Sequence, residues 1–193
     1  MRIVIGIHSL AHIDGTATSS NTIGDHLQRT GHDVYLFSSE DGPSGDNARA
    51  LGLRVIIATR DLPANIDAFL IQDGIVSLEL LEASPRTPQI YMWHSELFDV
   101  QLPPQIPDVT KLIVTLYDHA EQRIRSLAVK VPVVRLAQPV DTMRFQPLRP
   151  LSPEPRKLVH RIKAIALHQF TGTTRIMETL QETLQGIRIV KAF

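Results

Sequence analysis

An open parallel α/β sheet with helices on both faces is the fold this sequence predicts, and three observations predict it. Short, β-branched apolar runs recur through the first 136 residues without polar alternation, as strands buried on both faces do. Segments with helical spacing of apolar residues stand between them, and strands that alternate with helices pair in parallel. Of the 193 residues, 43% are apolar and 21% charged, which is ordinary globular composition. A chain of that size buries a core without disulfides or metals.

Residues 2–8 (RIVIGIH) read as the first strand and as the centre of the sheet, because the run has no polar face. After a polar loop at 9–15, a helix is expected over 16–30, with Ile23 and Leu27 four apart and Gly31 as the residue that ends it. Residues 33–38 (DVYLFS) form the second strand, and 40–47, with Gly42, Pro43 and Gly45, read as a loop. Strands follow at 53–58, 67–71, 89–93, 111–116 and 131–136, with helices at 75–82 and 118–128. Seven such strands suit one Rossmann-like domain.

Five prolines between 139 and 155 can neither continue a helix nor sit in a central strand, so the segment reads as a semi-rigid connector. The expected boundary leaves a domain at 1–150 and, at 151–193, a linker with an incomplete second domain or a docking helical tail. The tail opens on a basic cluster (Arg156, Lys157, His160, Arg161, Lys163) and carries Ile176, Leu180 and Leu184 on one helical stripe. Such a stripe needs a covering surface, from the first domain or from a second copy, so a homo-oligomer is among the expectations.

Lys plus Arg and Asp plus Glu both total 20, and no global positive field exists to hold a nucleic-acid backbone. Nucleic acid is not an expected partner. The balance is uneven, since the first 149 residues carry 13 basic and 17 acidic side chains and the remainder seven and three. The absence of cysteine excludes thiol catalysis, thiolate zinc sites and a disulfide framework, and fits a cytoplasmic location. No apolar run approaches the roughly 18 residues of a membrane span, so no integral membrane segment is expected.

In an open parallel sheet the ligand lies outside the carboxyl ends of the strands, so the loops after His8, Ser38, Ile71, Trp93 and Leu116 should carry the chemistry. A dinucleotide-binding loop needs Gly-x-Gly-x-x-Gly and an acid at the end of the second strand. Glu40 and Asp41 supply the acid, but the loop HSLAHIDGTATSSN holds one glycine, which disfavours NAD. Gly15 stands before a helix start rich in Thr16, Thr18, Ser19 and Ser20. These donors suit one phosphate or sugar hydroxyl, although the segment taken alone favours an N-cap cluster with a turn glycine. His94 follows a strand and precedes Ser95 and Glu96; there it can bind a sugar hydroxyl, shuttle a proton, or meet solvent. His8 and His12 are four apart but not on one helical face, so no metal is expected. No Gly-x-Ser-x-Gly elbow or Walker motif supports a hydrolase or P-loop reading.

Three local patterns resemble the first domain of a GT-B glycosyltransferase of the family 4 type. They are the glycine at the head of the first helix followed by Thr30-Gly31-His32-Asp33-Val34, then Trp93-His94-Ser95 after an internal strand, and then Gln138-Pro139-Val140-Asp141-Thr142-Met143-Arg144-Phe145-Gln146-Pro147. The resemblance covers roughly residues 1–150. It implies half of a GT-B fold, on the acceptor side of a retaining, metal-independent enzyme whose nucleotide-sugar is a substrate and not a resident cofactor. It further implies that Gly15 and Thr16 contact the donor, Gly15 by admitting its diphosphate to the backbone. His94 would face the transferred sugar as the catalytic residue, with Ser95 and Glu96 toward the acceptor or sugar. Asp14 stands where the family usually has a glycine, and Gln138-Pro139 replaces Asn-Gly.

In that family the second domain holds most of the nucleotide and carries two glutamates eight apart, whereas Glu178 and Glu182 here are four apart. The expected partners are therefore a nucleotide-sugar, an acceptor and a missing C-terminal domain, and the isolated chain is expected to be inactive. The alternatives are a Rossmann-like nucleotide- or sugar-binding module without transfer chemistry, and a nucleotide-dependent oxidoreductase.

Overall fold

The structure, a computed structural model, describes residues 1–96 and 101–137. The chain divides into two compact units, Met1–Thr142 and Met143–Phe193, and the described residues belong to the first. The expectations for the proline-rich connector, the segment 138–147, the basic cluster and the tail helix lie outside the described residues.

Among the described residues, seven strands form one sheet: β1 (Arg2–Gly6), β2 (Asp33–Phe37), β3 (Arg54–Ile56), β4 (Ala68–Ile71), β5 (Gln89–Trp93), β6 (Thr110–Thr115) and β7 (Val133–Arg135). Every pairing is parallel and the order is β3-β2-β1-β4-β5-β6-β7. The middle strand is thus β4, and β1, read from its apolar run as the centre, lies third. A run without polar alternation reports burial on both faces, which every interior strand shares, so it does not single out the middle one.

Among the described residues, four α-helices cover the sheet: α1 (Gly15–Arg29), α2 (Pro43–Ala50), α3 (Gly74–Ala83) and α4 (Asp118–Ser126). Alternate residues of each strand feed opposite faces. Val4, Phe69 and Ile71 pack with Val76 and Leu80 of α3 and Ala120 and Ile124 of α4. Ile5, Val34 and Leu36 pack with Ala17 of α1 and Ala48 of α2. The helices α1 and α2 therefore lie on one face and α3 and α4 on the other.

The structure corrects the loop expected at 40–47, since α2 begins at Pro43 within it. Proline at the first helical position loses no helical hydrogen bond and has its φ already set, so there it starts a helix instead of breaking one. Tertiary contacts then hold α2 in place. Ser44 Oγ donates to the His12 carbonyl at 2.6 Å, and Asn21 Nδ2 of α1 donates to the Ser44 carbonyl at 3.1 Å. Among the described residues, no helix is long and apolar enough to cross a membrane.

Candidate functional site

The chain leaves β1 toward β2 on one side and returns from β3 to β4 on the other, so strands β1 and β4 flank the switch point of the sheet. Loops that diverge from neighbouring strands leave a crevice between them. A cavity of about 190 Å³ occupies that position, lined by residues following β1 (Ile7, His8, Ser9), β4 (Gln72, Asp73) and β5 (His94, Ser95), with Trp93 at the end of β5, Asp14, Thr16 and Gln101. Its volume is below the roughly 300 Å³ at which pockets for drug-sized ligands begin.

The loop after β1 is held by hydrogen bonds to its neighbours. Ser38, fully buried, donates to the His8 carbonyl at 3.1 Å. The Leu10 amide donates to the Glu40 carbonyl at 2.9 Å, and the Ala11 amide to Ser9 Oγ at 3.1 Å. These donors are spent within the protein, whereas a pyrophosphate-wrapping loop keeps its amides for the ligand. Of the acids expected at the end of β2, Asp41 is paired with Arg49, whose hydrogen bond holds the carboxyl below its usual range against the opposing effect of burial.

Asp14 caps α1, its carboxylate accepting from the Ala17 amide at 2.8 Å, and Asp73 caps α3 by accepting from the Ile75 amide at 2.8 Å. Two capped helix starts therefore bring two carboxylates to one cavity. The described lining contains no lysine or arginine. A side chain at position 15 would meet nothing within 4 Å, so the backbone at Gly15 is open; Gly15 does not itself line the cavity, although its neighbours Asp14 and Thr16 do.

His94 has its Nε2 hydrogen-bonded to Gln72 Oε1. Burial lowers its pKa, with the Asp14 charge opposing that shift, so the imidazole is neutral at pH 7. Two further polar atoms of the lining residues are buried without a hydrogen-bond partner, Trp93 Nε1 and Gln101 Oε1. Trp93 is 1% exposed, so its indole N–H has no route to bulk water. Buried donors normally have partners, so this indole N–H is an unsatisfied group on a residue that lines the cavity.

Thr16, His94 and Ser95 thus meet at one cavity, and Glu96 does not line it. The Glu96 carboxylate turns to α4: it bonds His119 Nδ1 at 2.9 Å and lies 3.5 Å from Arg123, whose Nη1 also donates to the Glu96 carbonyl at 3.1 Å. Burial would raise the Glu96 pKa, but hydrogen bonds from His119 and Tyr117 and the Arg123 charge hold it below the usual carboxylate range. Sequence reasoning missed Gln72, Asp73 and Gln101 as cavity residues. The available signal was Gln72-Asp73 directly after the apolar run AFLI, polar side chains placed where a buried strand ends. Gln101 carried no such signal.

Among the described residues, no group of three or more His, Asp or Glu side chains could hold a metal ion. No protein-family model matches this chain, and no curated protein sequence matches it.

Proposed function

We infer that this chain supplies the acceptor-side domain of a glycosyltransferase, a retaining and metal-independent enzyme that moves a sugar from a nucleotide-sugar to an acceptor. The observation that carries the reading is a small cavity at the switch point whose described lining offers a neutral imidazole, amides, hydroxyls and two carboxylates but no cation. Carboxylates and a neutral imidazole accept hydrogen bonds from hydroxyl groups, whereas Asp14 and Asp73 repel a diphosphate. The cavity therefore suits a sugar ring, and the donor's diphosphate belongs on a second domain. In this reading Gly15 and Thr16 contribute through the open backbone at the head of α1, beside the sugar instead of around the phosphates.

In the transfer, the bond from the anomeric carbon to the diphosphate breaks and a bond to the acceptor oxygen forms on the same face, the acceptor proton leaving with the diphosphate. His94 and Ser95 hold the sugar, and catalysis is by positioning and electrostatics. The described lining of the cavity holds no cation to neutralise the departing diphosphate, so on this reading the first unit is expected to transfer nothing by itself. Because nucleotide-sugars are soluble metabolites, the reading places the reaction in the cytoplasm.

The test is a titration of the full chain with UDP- and GDP-sugars and with the corresponding free sugars, followed on the Trp93 indole N–H and His94 ring signals by NMR. We expect both signals to move with a Kd on the order of 1 mM, since a cavity this small encloses one ring and offers about 4 kcal/mol. Tight binding of NAD, or no movement of either signal with any sugar, would overturn the reading; the first result would favour an oxidoreductase.

A further inference from the structure

Gln72 lies one residue beyond β4, is 6% exposed, and reaches two neighbours with the two ends of its amide. Its nitrogen donates to Met92 Sδ at 3.6 Å, and its oxygen meets His94 Nε2. Reversing the amide would set its oxygen against the thioether sulfur, acceptor against acceptor. The methionine contact therefore decides which end the imidazole meets. A carbonyl oxygen can only accept, so the proton in the bond to His94 belongs to Nε2. A neutral imidazole carries one ring proton, which leaves Nδ1 with a free lone pair, and no hydrogen bond from a described residue reaches it.

We propose that Gln72 is a positioning residue that holds His94 as its Nε2–H tautomer and thereby makes Nδ1 the hydroxyl-accepting atom of the cavity. The ligand group this atom takes is an O–H donor, not a phosphate or carboxylate oxygen. A hydroxyl can both donate and accept, so an O–H group meets this acceptor while keeping its own oxygen free to accept from elsewhere. That the hydroxyl belongs to a sugar rests on the glycosyl-transfer reading; the tautomer does not. The other ionisable groups around the cavity are His8 after β1, Asp14 at the head of α1 and Asp73 at the head of α3. Glu96 is tied to α4.

The experiment records nitrogen-15 spectra of the histidine rings in the full chain, without sugar, with His94→Gln identifying the His94 signals. We expect the wild type to show His94 locked with Nε2 protonated above its titration midpoint. In Gln72→Met the lock should be lost and both tautomers populated. In Gln72→Glu the carboxylate accepts the same Nε2 proton, so the lock returns while the midpoint moves upward. A wild-type His94 protonated at Nδ1, or a lock that survives in Gln72→Met, would overturn the proposal. Should Gln72→Met fail to fold, as its amide spectrum would reveal, the other two chains decide. Protonated Nε2 in both with an upward midpoint in Gln72→Glu supports the proposal, and an unmoved midpoint overturns it. Both readouts are taken without sugar, so their failure would leave the glycosyl-transfer reading to its own titration.

Discussion

Asp14 carries two separable roles in one side chain. Its carboxylate caps α1 through the Ala17 amide, and its charge faces His94 across the cavity. Asparagine also caps well, whereas alanine cannot. We therefore expect Asp14→Asn to keep the wild-type stability in urea while moving the His94 titration midpoint downward, because a charge that favours imidazolium has been removed. Asp14→Ala should move the midpoint in the same direction and also cost about 0.5–2 kcal/mol. Equal stability losses in the two variants would show that the cap is not what the carboxylate provides. Gly6, in β1, is constrained by space, not by backbone angle. A Cβ there would come within 2.7 Å of Val76 Cγ1 and 2.9 Å of Leu80 Cδ1, both on α3. Gly6→Ala should push the Val76 and Leu80 side chains from their packed positions and destabilise the protein by about 1–3 kcal/mol in denaturant titrations.

Among the elements, α3 is the one whose own sequence says least about its orientation. GIVSLELLEA is apolar almost all round, and Ile75 and Leu78 remain exposed while Val76 and Leu80 are fully buried. A buried polar pair decides the matter. Gln89 of β5, 1% exposed, donates from Nε2 to the Ser77 carbonyl at 2.9 Å, and its Oε1 accepts from Ser77 Oγ. The pair can form in only one rotation of the helix, which supplies the specificity that apolar contacts lack. Gln89→Leu preserves volume but leaves the Ser77 hydroxyl buried without its acceptor, and should cost about 1–3 kcal/mol by thermal or chemical unfolding. The double variant Gln89→Leu, Ser77→Ala should recover part of that loss, since no stranded polar group remains. If the double variant is no better than the single one, the pair's hydrogen bonding is not what orients α3.

For the molecule as a whole, stability should respond to pH in two separate windows. His94 is held neutral, its pKa depressed by burial below the ordinary 6.5. The unfolded chain therefore takes up that proton before the folded one does. The associated stabilisation is complete above about pH 6.5 and falls as the pH drops below it. Glu96 is depressed from its ordinary 4.5, so its contribution persists through that first window and is lost as the pH falls below the carboxylate range. Asp41, held low by Arg49, adds to the second window. Melting temperature measured from pH 8 to pH 3 should thus fall in two stages, and His94→Gln should flatten the first while leaving the second. A first stage of unchanged size in that variant would assign it to other histidines.

The alternation of apolar strands and helical segments determined, without any structure, the parallel α/β class, the seven strands to within a few residues and the end of the sheet at which a site would lie. These follow from periodicity, which records burial residue by residue. His94 directly follows β5 and Thr16 lies in the first turn of the helix after β1, so both stand at that end of the sheet, whereas Gly15, expected beside them, does not line the cavity. Tertiary structure alone decided that β4 and not β1 is the middle strand, since interior strands share one burial pattern and differ only in their neighbours. It also turned 43–50 into a helix, where Pro43 and Gly45 read locally as a loop until Asn21 and His12 supplied their hydrogen bonds. Above all, it brought Gln72 to His94 from 22 residues away. A hydrogen bond between the ends of two neighbouring strands leaves no periodic trace in either, and the tautomer of the histidine depends on it.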